Sequence, residues 1–379
     1  MEFKKLDLVR IEEVPLTRIP LRDQFFDSLR DDYKEFDKWF TRVASEGRNA
    51  WVINTGTNRL DTICIYKVES QGEPINDAGE TLAGRFLKLC TLKVTNIGLR
   101  FGERLLYAAF LFALSNGLSH VYVQVGKTGH EKVKKLLKKF GFVERGSYRN
   151  DVAYVKQMFP GNIPLISIEP KTNFEYFRKH YPYHLDGGAV HKFLVSLDVE
   201  THEQLFPDAC VQNLPLELHN QGLVGEVNAI RKAVVQNDVI DGLKPADLLL
   251  FYRQVTDATT KGFVDHLGVV ESVKWYRHCD DLELDVRDCL PYSEAELRRM
   301  DAQGRGLLVV VFWLVQHIYP GIKRAELSAG GYDTHHRRVR WIRDRFYFEL
   351  IKPSLKGFGV VRTKPFVPDC VIGGGTPAE

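Results

Sequence analysis

Apolar residues recur at three- to four-residue spacing in 25-FFDSLRDDYKEFDKWFTRVASEG-47, where Phe36, Trp39, Phe40 and Val43 share a face, so helices are predicted there. AWVINT (50–55) and DTICIYKVE (61–69) read as strands joined by the turn-rich GTNR, and RFLKLCTLKV (85–94) as a longer strand. A long apolar helix follows at once and stops at Asn116-Gly117. HVYVQV (120–125) is a short strand, HEKVKKLLKKFGF (130–142) an amphipathic helix running into a turn, and DVAYVKQM (151–158) a closing strand.

Pro and Gly punctuate 160-PGNIPLISIEPKTN-173, which reads as a linker. Beyond it, HKFLVSLDVE (191–200) predicts a strand, GEVNAIRKAVV (225–235) a short helix, and LKPADLLLFYRQV (243–255) a turn and a strand. HLGVVESVKWYR (266–277) and the valine-rich RGLLVVVFWLVQHI (305–318) are further strands, the second buried on both faces. THHRRVRWIRDRFYFEL (334–350) predicts a helix capped by Thr334, with Val339, Ile342, Phe346 and Leu350 as its apolar stripe. The organisation expected is a domain over 1–160, a linker over 161–185, a second domain over 186–360 and a tail over 361–379.

Composition changes this picture little. At ~150 residues per domain, 379 residues suggest two or three domains. A net charge of +3 is too small to imply nucleic acid by itself. No apolar run reaches the ~18 residues of a membrane helix, and MEFKKLDLVRIEEVP lacks the apolar core of a signal peptide. The six cysteines form no CxxC and no Cys/His cluster of zinc spacing. A cytoplasmic protein with reduced thiols, no membrane partner and no metal site is therefore expected.

The stretch 95-TNIGLRFGERLLYAAFLFALSNGL-118 carries the candidate chemistry. A helix N-terminus presents unpaired N–H groups and partial positive charge, and glycines let backbone approach a ligand closely. Together these favour an anion, usually phosphate. Neither GxxxxGK[ST] nor GxGxxG is present. Taken alone, a glycine before a helix is also an ordinary turn.

The order strand, short glycine loop, long helix resembles the GNAT family of acetyl-CoA-dependent N-acetyltransferases, over about residues 1–160. The family's Q/R-x-x-G-x-G/A loop falls on 97-IGLRFG-102, with Gly102 at its last position, Ile97 replacing Gln/Arg and Arg100 replacing the first glycine. KKFGF (138–142) matches the family's helix-to-strand junction. The resemblance implies a mixed α/β (α+β) sheet with flanking helices, acetyl-CoA as cofactor, and cofactor contacts from Leu92, Val94, Gly98, Leu99, Arg100, Phe101, Gly102 and Glu103. Arg100 would add a cation beside the phosphates, and a backbone N–H near Leu92 would hold the thioester oxygen. Leu137 stands where many members carry the tyrosine that protonates the thiolate. Tyr148 is the nearest replacement, with Tyr154 behind it and His130 as candidate base.

The second half resembles the PUA-like superfamily of small β-barrels, which includes ASCH and EVE modules, through 228-NAIRKAVV-235, 243-LKPADLLLFYRQ-254 and 266-HLGVVESV-273. That likeness implies a barrel and an RNA or DNA partner, with Arg231, Lys232 and Arg253 lining a groove and Tyr252 or Trp275 stacking on a base. Arg337, Arg338 and Arg340 concentrate positive charge on the last helix, which equally reads as a solvated face. The function expected is acetyl transfer to an amine, its acceptor unidentified, on a nucleic acid or nucleoprotein recruited by the second domain. The rival is a non-catalytic binding protein, and a protein partner from a toxin–antitoxin or defence module fits either by analogy.

Overall fold

A computed structural model describes residues 9–53, 60–70, 74–95, 100–160, 169–207, 226–227, 229–236, 240–254, 262–332 and 339–355. They form a mixed α/β protein with two mixed sheets. The first sheet contains β1 (Glu12–Pro15), β2 (Asn49–Ile53), β3 (Thr62–Glu69), β4 (Phe86–Val94), β5 (His120–Gly126), β6 (Val143–Tyr148) and β7 (Asp151–Gln157). Its order is β1-β2-β3-β4-β5-β7-β6, antiparallel except for the parallel pair β4–β5. Helices α1 (Asp27–Asp32), α2 (Phe36–Ser45), α3 (Phe101–Ser115) and α4 (Glu131–Lys139) flank it.

The amphipathic pattern of α2 is realised, with Phe36, Phe40 and Val43 buried. Helix α3 has Gly117 in the left-handed region (φ 62°) just past its end, a conformation cheap only for glycine. Strand β6 was not predicted, because its sequence VERGSY has little apolar content; pairing with β7 holds it in the sheet.

The second sheet has six strands: β8 (Lys192–Leu197), β9 (Arg231–Gln236), β10 (Leu248–Arg253), β11 (Phe263–Tyr276), β12 (Leu307–Lys323) and β13 (Val339–Ile342). In the order β9-β12-β11-β10-β8-β13 it is open, and among the described residues no closed barrel forms.

Two helix predictions fail here. Residues 231–236 are strand β9, pairing with the valines of β12, although Ala229, Ile230, Ala233 and Val234 have helical spacing. Burial on both faces removed the alternation that marks a strand. The predicted helix 334–350 is strand β13 over Val339–Ile342, paired with β8, and helical turns begin only at Asp344. Thr334, His335 and His336 lie outside the described residues.

The helices of this half include α5 (Pro170–His180) and α6 (Val199–Leu205). Helix α5 lies within the stretch expected as a linker. Its Phe174 and Phe177, with Tyr181 and with Phe140 at the end of α4, surround the buried Trp313 of β12 at ring distances of 5.0–5.8 Å. One continuous apolar core thus joins the two sheets. No described helix is long and apolar enough to cross a membrane. Cys64, Cys279 and Cys289 form no disulfide.

Candidate active site

The parallel pairing of β4 with β5 covers only Phe86–Leu89 against His120–Val123. A bulge accompanies its end. Ile65 of β3 faces Thr91 and Tyr66 faces Leu89, so Cys90 is an extra residue in β4. Bulges bend their strand and increase its twist. Past Cys90 the two strands part, and the gap is a cavity of about 700 Å³. Residues 91–94 keep a ladder neighbour on the β3 side alone among the described strands, which leaves alternate peptide groups facing the gap without a strand partner.

The cavity has an apolar part and a titratable part. Leu92 and Val94 of β4, Val123 and Val125 of β5 and Val133 of α4 line the first. Asp32, Tyr33 and Glu35 at the turn between α1 and α2, with His130 and Asp151, line the second. His130 precedes α4 with φ 57°, and its Nε2 is 3.7 Å from Asp32 Oδ2. Gly126 makes room for the imidazole, because a Cβ there would lie 3.2 Å from the ring. Asp151 is the register partner of Gly126. Burial pushes the Asp151 carboxyl up, against His130, Lys88 and Lys127. Burial, then Asp151 and Asp32, push the Tyr33 hydroxyl up, so it holds its proton firmly. Several bases of the lining are already engaged: Lys67 with Glu69 at 2.7 Å, Arg48 with Glu46 at 2.8 Å, and Lys93 with the Phe25 carbonyl and Ser28.

The predicted cofactor residues divide. Leu92 and Val94 line the cavity. Gly98 and Leu99 lie outside the described residues. Phe101 is buried in the core. A Cβ on Gly102 would stand 2.9 Å from Leu136 Cδ2, the flexible end of a side chain of α4, so the glycine eases the approach of α3 to α4. Arg100, expected beside phosphate, is turned away from that role. Its guanidinium bonds Glu103 at 2.6 and 2.7 Å and the Arg231 carbonyl at 2.6 Å. Burial pushes the Glu103 carboxyl up, but Arg100 outweighs it and holds Glu103 below the usual range.

Tyr148 stands apart from the cavity. It ends β6 under the Arg149 guanidinium, 5.2 Å from ring to cation, and is not among the residues lining the cavity. Tyr154 donates to Glu144 at 3.3 Å. Tyr33, which does line the cavity, was missed because DDYKEF reads as an ordinary helix connection. His130 was found.

Among the described residues, the side chains expected to line a nucleic-acid groove are engaged within the protein or spread over its surface. Arg231 and Lys232 are buried; Arg231 grips Glu271 at 2.6 and 2.8 Å, and Lys232 donates to the Leu205 carbonyl. Arg253 is held by Glu203, and Tyr252 fills the core. Arg340 is half-buried on β13, while Arg337 and Arg338 lie outside the described residues. Trp275 is exposed.

No protein-family model and no curated protein matches this chain. Among solved structures, a GNAT-family acetyltransferase from Listeria monocytogenes is similar at 15% identity and a TM-score of 0.25, over 36% of this chain and 78% of that one. An IAA acetyltransferase from Bacillus cereus is similar at 17% identity and a TM-score of 0.29, over 40% of this chain and 99% of its own. AtaTR bound with acetyl-CoA gives 14% and 0.29, over 40% and 94%. Likeness at this level fixes neither family nor activity.

Proposed function

We propose that this protein is an acetyl-CoA-dependent acyltransferase acting on an amine. The observation that carries the reading is the parting of β4 and β5 at the Cys90 bulge, beside the start of a long helix. The lining fits the group: an apolar channel of Leu92, Val94, Val123, Val125 and Val133 suits a pantetheine arm, and free peptide groups past Cys90 suit its amides and the thioester oxygen. Helix α3 starts at Phe101, after β4 ends at Val94, and the positive end of its dipole suits an anion. Acetyl-CoA, when bound, supplies the activated acetyl group.

The chain's own residues do the rest. His130, steadied by Asp32, takes the proton of an incoming amine. Tyr33 keeps its proton and is the donor for the departing sulfur. The α1–α2 turn and Asp151 bound the side from which the amine enters, and the carboxylates of Asp32, Glu35 and Asp151 favour a cationic acceptor. The test is incubation of the protein with labelled acetyl-CoA and a panel of amines, amino-acyl compounds and total cellular RNA and protein. Label appearing on an amine supports the reading. Acetyl-CoA bound but never consumed would support the non-catalytic rival instead.

A further inference from the structure

A second site lies in the other sheet, away from the parted strands. His202 of α6 meets Asp265 and His266 of β11, and all three are buried. His202 Nε2 is 2.9 Å and His266 Nδ1 2.7 Å from the same Asp265 oxygen, Oδ1. The donor atoms of the three residues all lie within 4.8 Å of one another.

The backbone has been adapted to make this meeting. Neighbours on a strand normally point to opposite faces. Here Phe251 of β10 faces His266 while the next residue, Tyr252, faces Val264, so Asp265 is a bulge. The ladder to β12 is also irregular between Val264 and His266. Bulges re-aim side chains and gather near functional sites. The His266 ring is fixed by stacking on Phe206 (4.1 Å, 13°) and on the half-buried His317 (4.7 Å, 9°).

Hydrogen bonding alone leaves this cluster incomplete. Asp265 Oδ1 serves both imidazoles, while Asp265 Oδ2 and His202 Nδ1 are buried without a hydrogen-bond partner. A bare carboxylate oxygen in the interior is costly, and a cation would supply its missing partner.

We propose that His202, Asp265 and His266 bind a divalent first-row transition ion, with His202 Nε2, His266 Nδ1 and both Asp265 oxygens as donors. Two imidazoles and one carboxylate suit zinc and its neighbours. Calcium and magnesium require more oxygen ligands than this set holds. Enclosure by protein makes it a structural site that ties α6 to β11, with His317 between it and solvent.

Zinc is the probe. The full chain would be stripped with chelator, dialysed and titrated with zinc, with metal content, melting temperature and calorimetry as readouts. One equivalent bound and a raised melting temperature are expected for the wild type and for His317→Gln. Both effects should be lost in Asp265→Asn and in His202→Gln. Zinc retained equally by those two variants would place it on other histidines and overturn the proposal. So would a wild type whose melting temperature no zinc, cobalt, nickel or manganese moves. If the variants do not fold, cobalt-substituted wild type decides: visible d–d absorption of a low-coordinate site supports the proposal, and its absence overturns it.

Discussion

The Arg231 backbone N–H donates to Glu103 Oε1 at 2.8 Å, and the exchange is mutual, because the Arg231 carbonyl accepts from Arg100 at 2.6 Å. Glu103 lies in the first turn of α3 and Arg231 on edge strand β9. The Arg231 side chain continues inward to Glu271, which also accepts from the Trp313 indole N–H at 2.7 Å. The start of the proposed anion-binding helix is therefore clamped to the second sheet by a buried chain of charges.

Removing one member of a buried ion pair strands the other. Glu103→Ala should therefore destabilise the fold by about 3–5 kcal/mol, through Arg100, whose side chain is 11% exposed, left without its carboxylate. Glu103→Gln, which keeps an oxygen for the Arg231 N–H, should cost less. Urea melts check both. A change under about 0.5 kcal/mol, the range of a plain surface substitution, would show that the clamp is not formed.

The proposed roles separate three residues by kinetics. Tyr33→Phe and His130→Gln should each slow acetyl transfer by ~10²–10⁴-fold while acetyl-CoA affinity holds. Tyr148→Phe should leave the rate within about twofold, since a residue off the cavity has no proton to move to the reacting atoms. Steady-state rates with a fixed amine measure all three. A large loss in Tyr148→Phe, with Tyr33→Phe unaffected, would reverse the assignment.

Acid sensitivity should follow His184. Burial holds its imidazole down at about 4, against Asp186, which pulls it up. Between the ordinary 6.5 and that value the unfolded chain takes a proton that the folded chain refuses, so stability falls as pH falls. The loss at pH 4 is of the order of 3 kcal/mol from this group. Asp247 acts in the opposite sense: burial raises it to about 6, so its share grows as pH falls below that. Comparing wild type with His184→Gln isolates the histidine. The variant's stability should change less between pH 7 and pH 4, and an unchanged slope would reject the assignment.

Local pattern sufficed for five strands of the first sheet, with β1 and β6 missed, because those five alternate with turns and helices that have clear stops. The α3 and α4 patterns, Gly117 and the β4 run each stated their own structure. What β4 does after Leu89 was not legible. The bulge at Cys90 exists only in register with β3, and period-two patterning is blind to one extra residue. The second sheet was harder for a related reason. In β9 and β13 the apolar residues have helical spacing, and cross-strand pairing overrode it. The arginines invited a solvent-facing reading, yet Arg100 and Arg231 are paired inside. Their partners, Glu103 and Glu271, lie 3 and 40 residues from them, and only the nearer spacing could have been noticed. His202 and Asp265 are 63 residues apart, which no metal-spacing motif covers.

The central claim is that the gap between β4 and β5 holds acetyl-CoA, and calorimetric titration of the wild-type protein with acetyl-CoA tests it most directly. Saturable one-site binding is predicted, weakened when Val123→Trp fills the channel and preserved in Tyr148→Phe. No heat and no displacement at millimolar acetyl-CoA, from protein that melts cooperatively, would contradict the account.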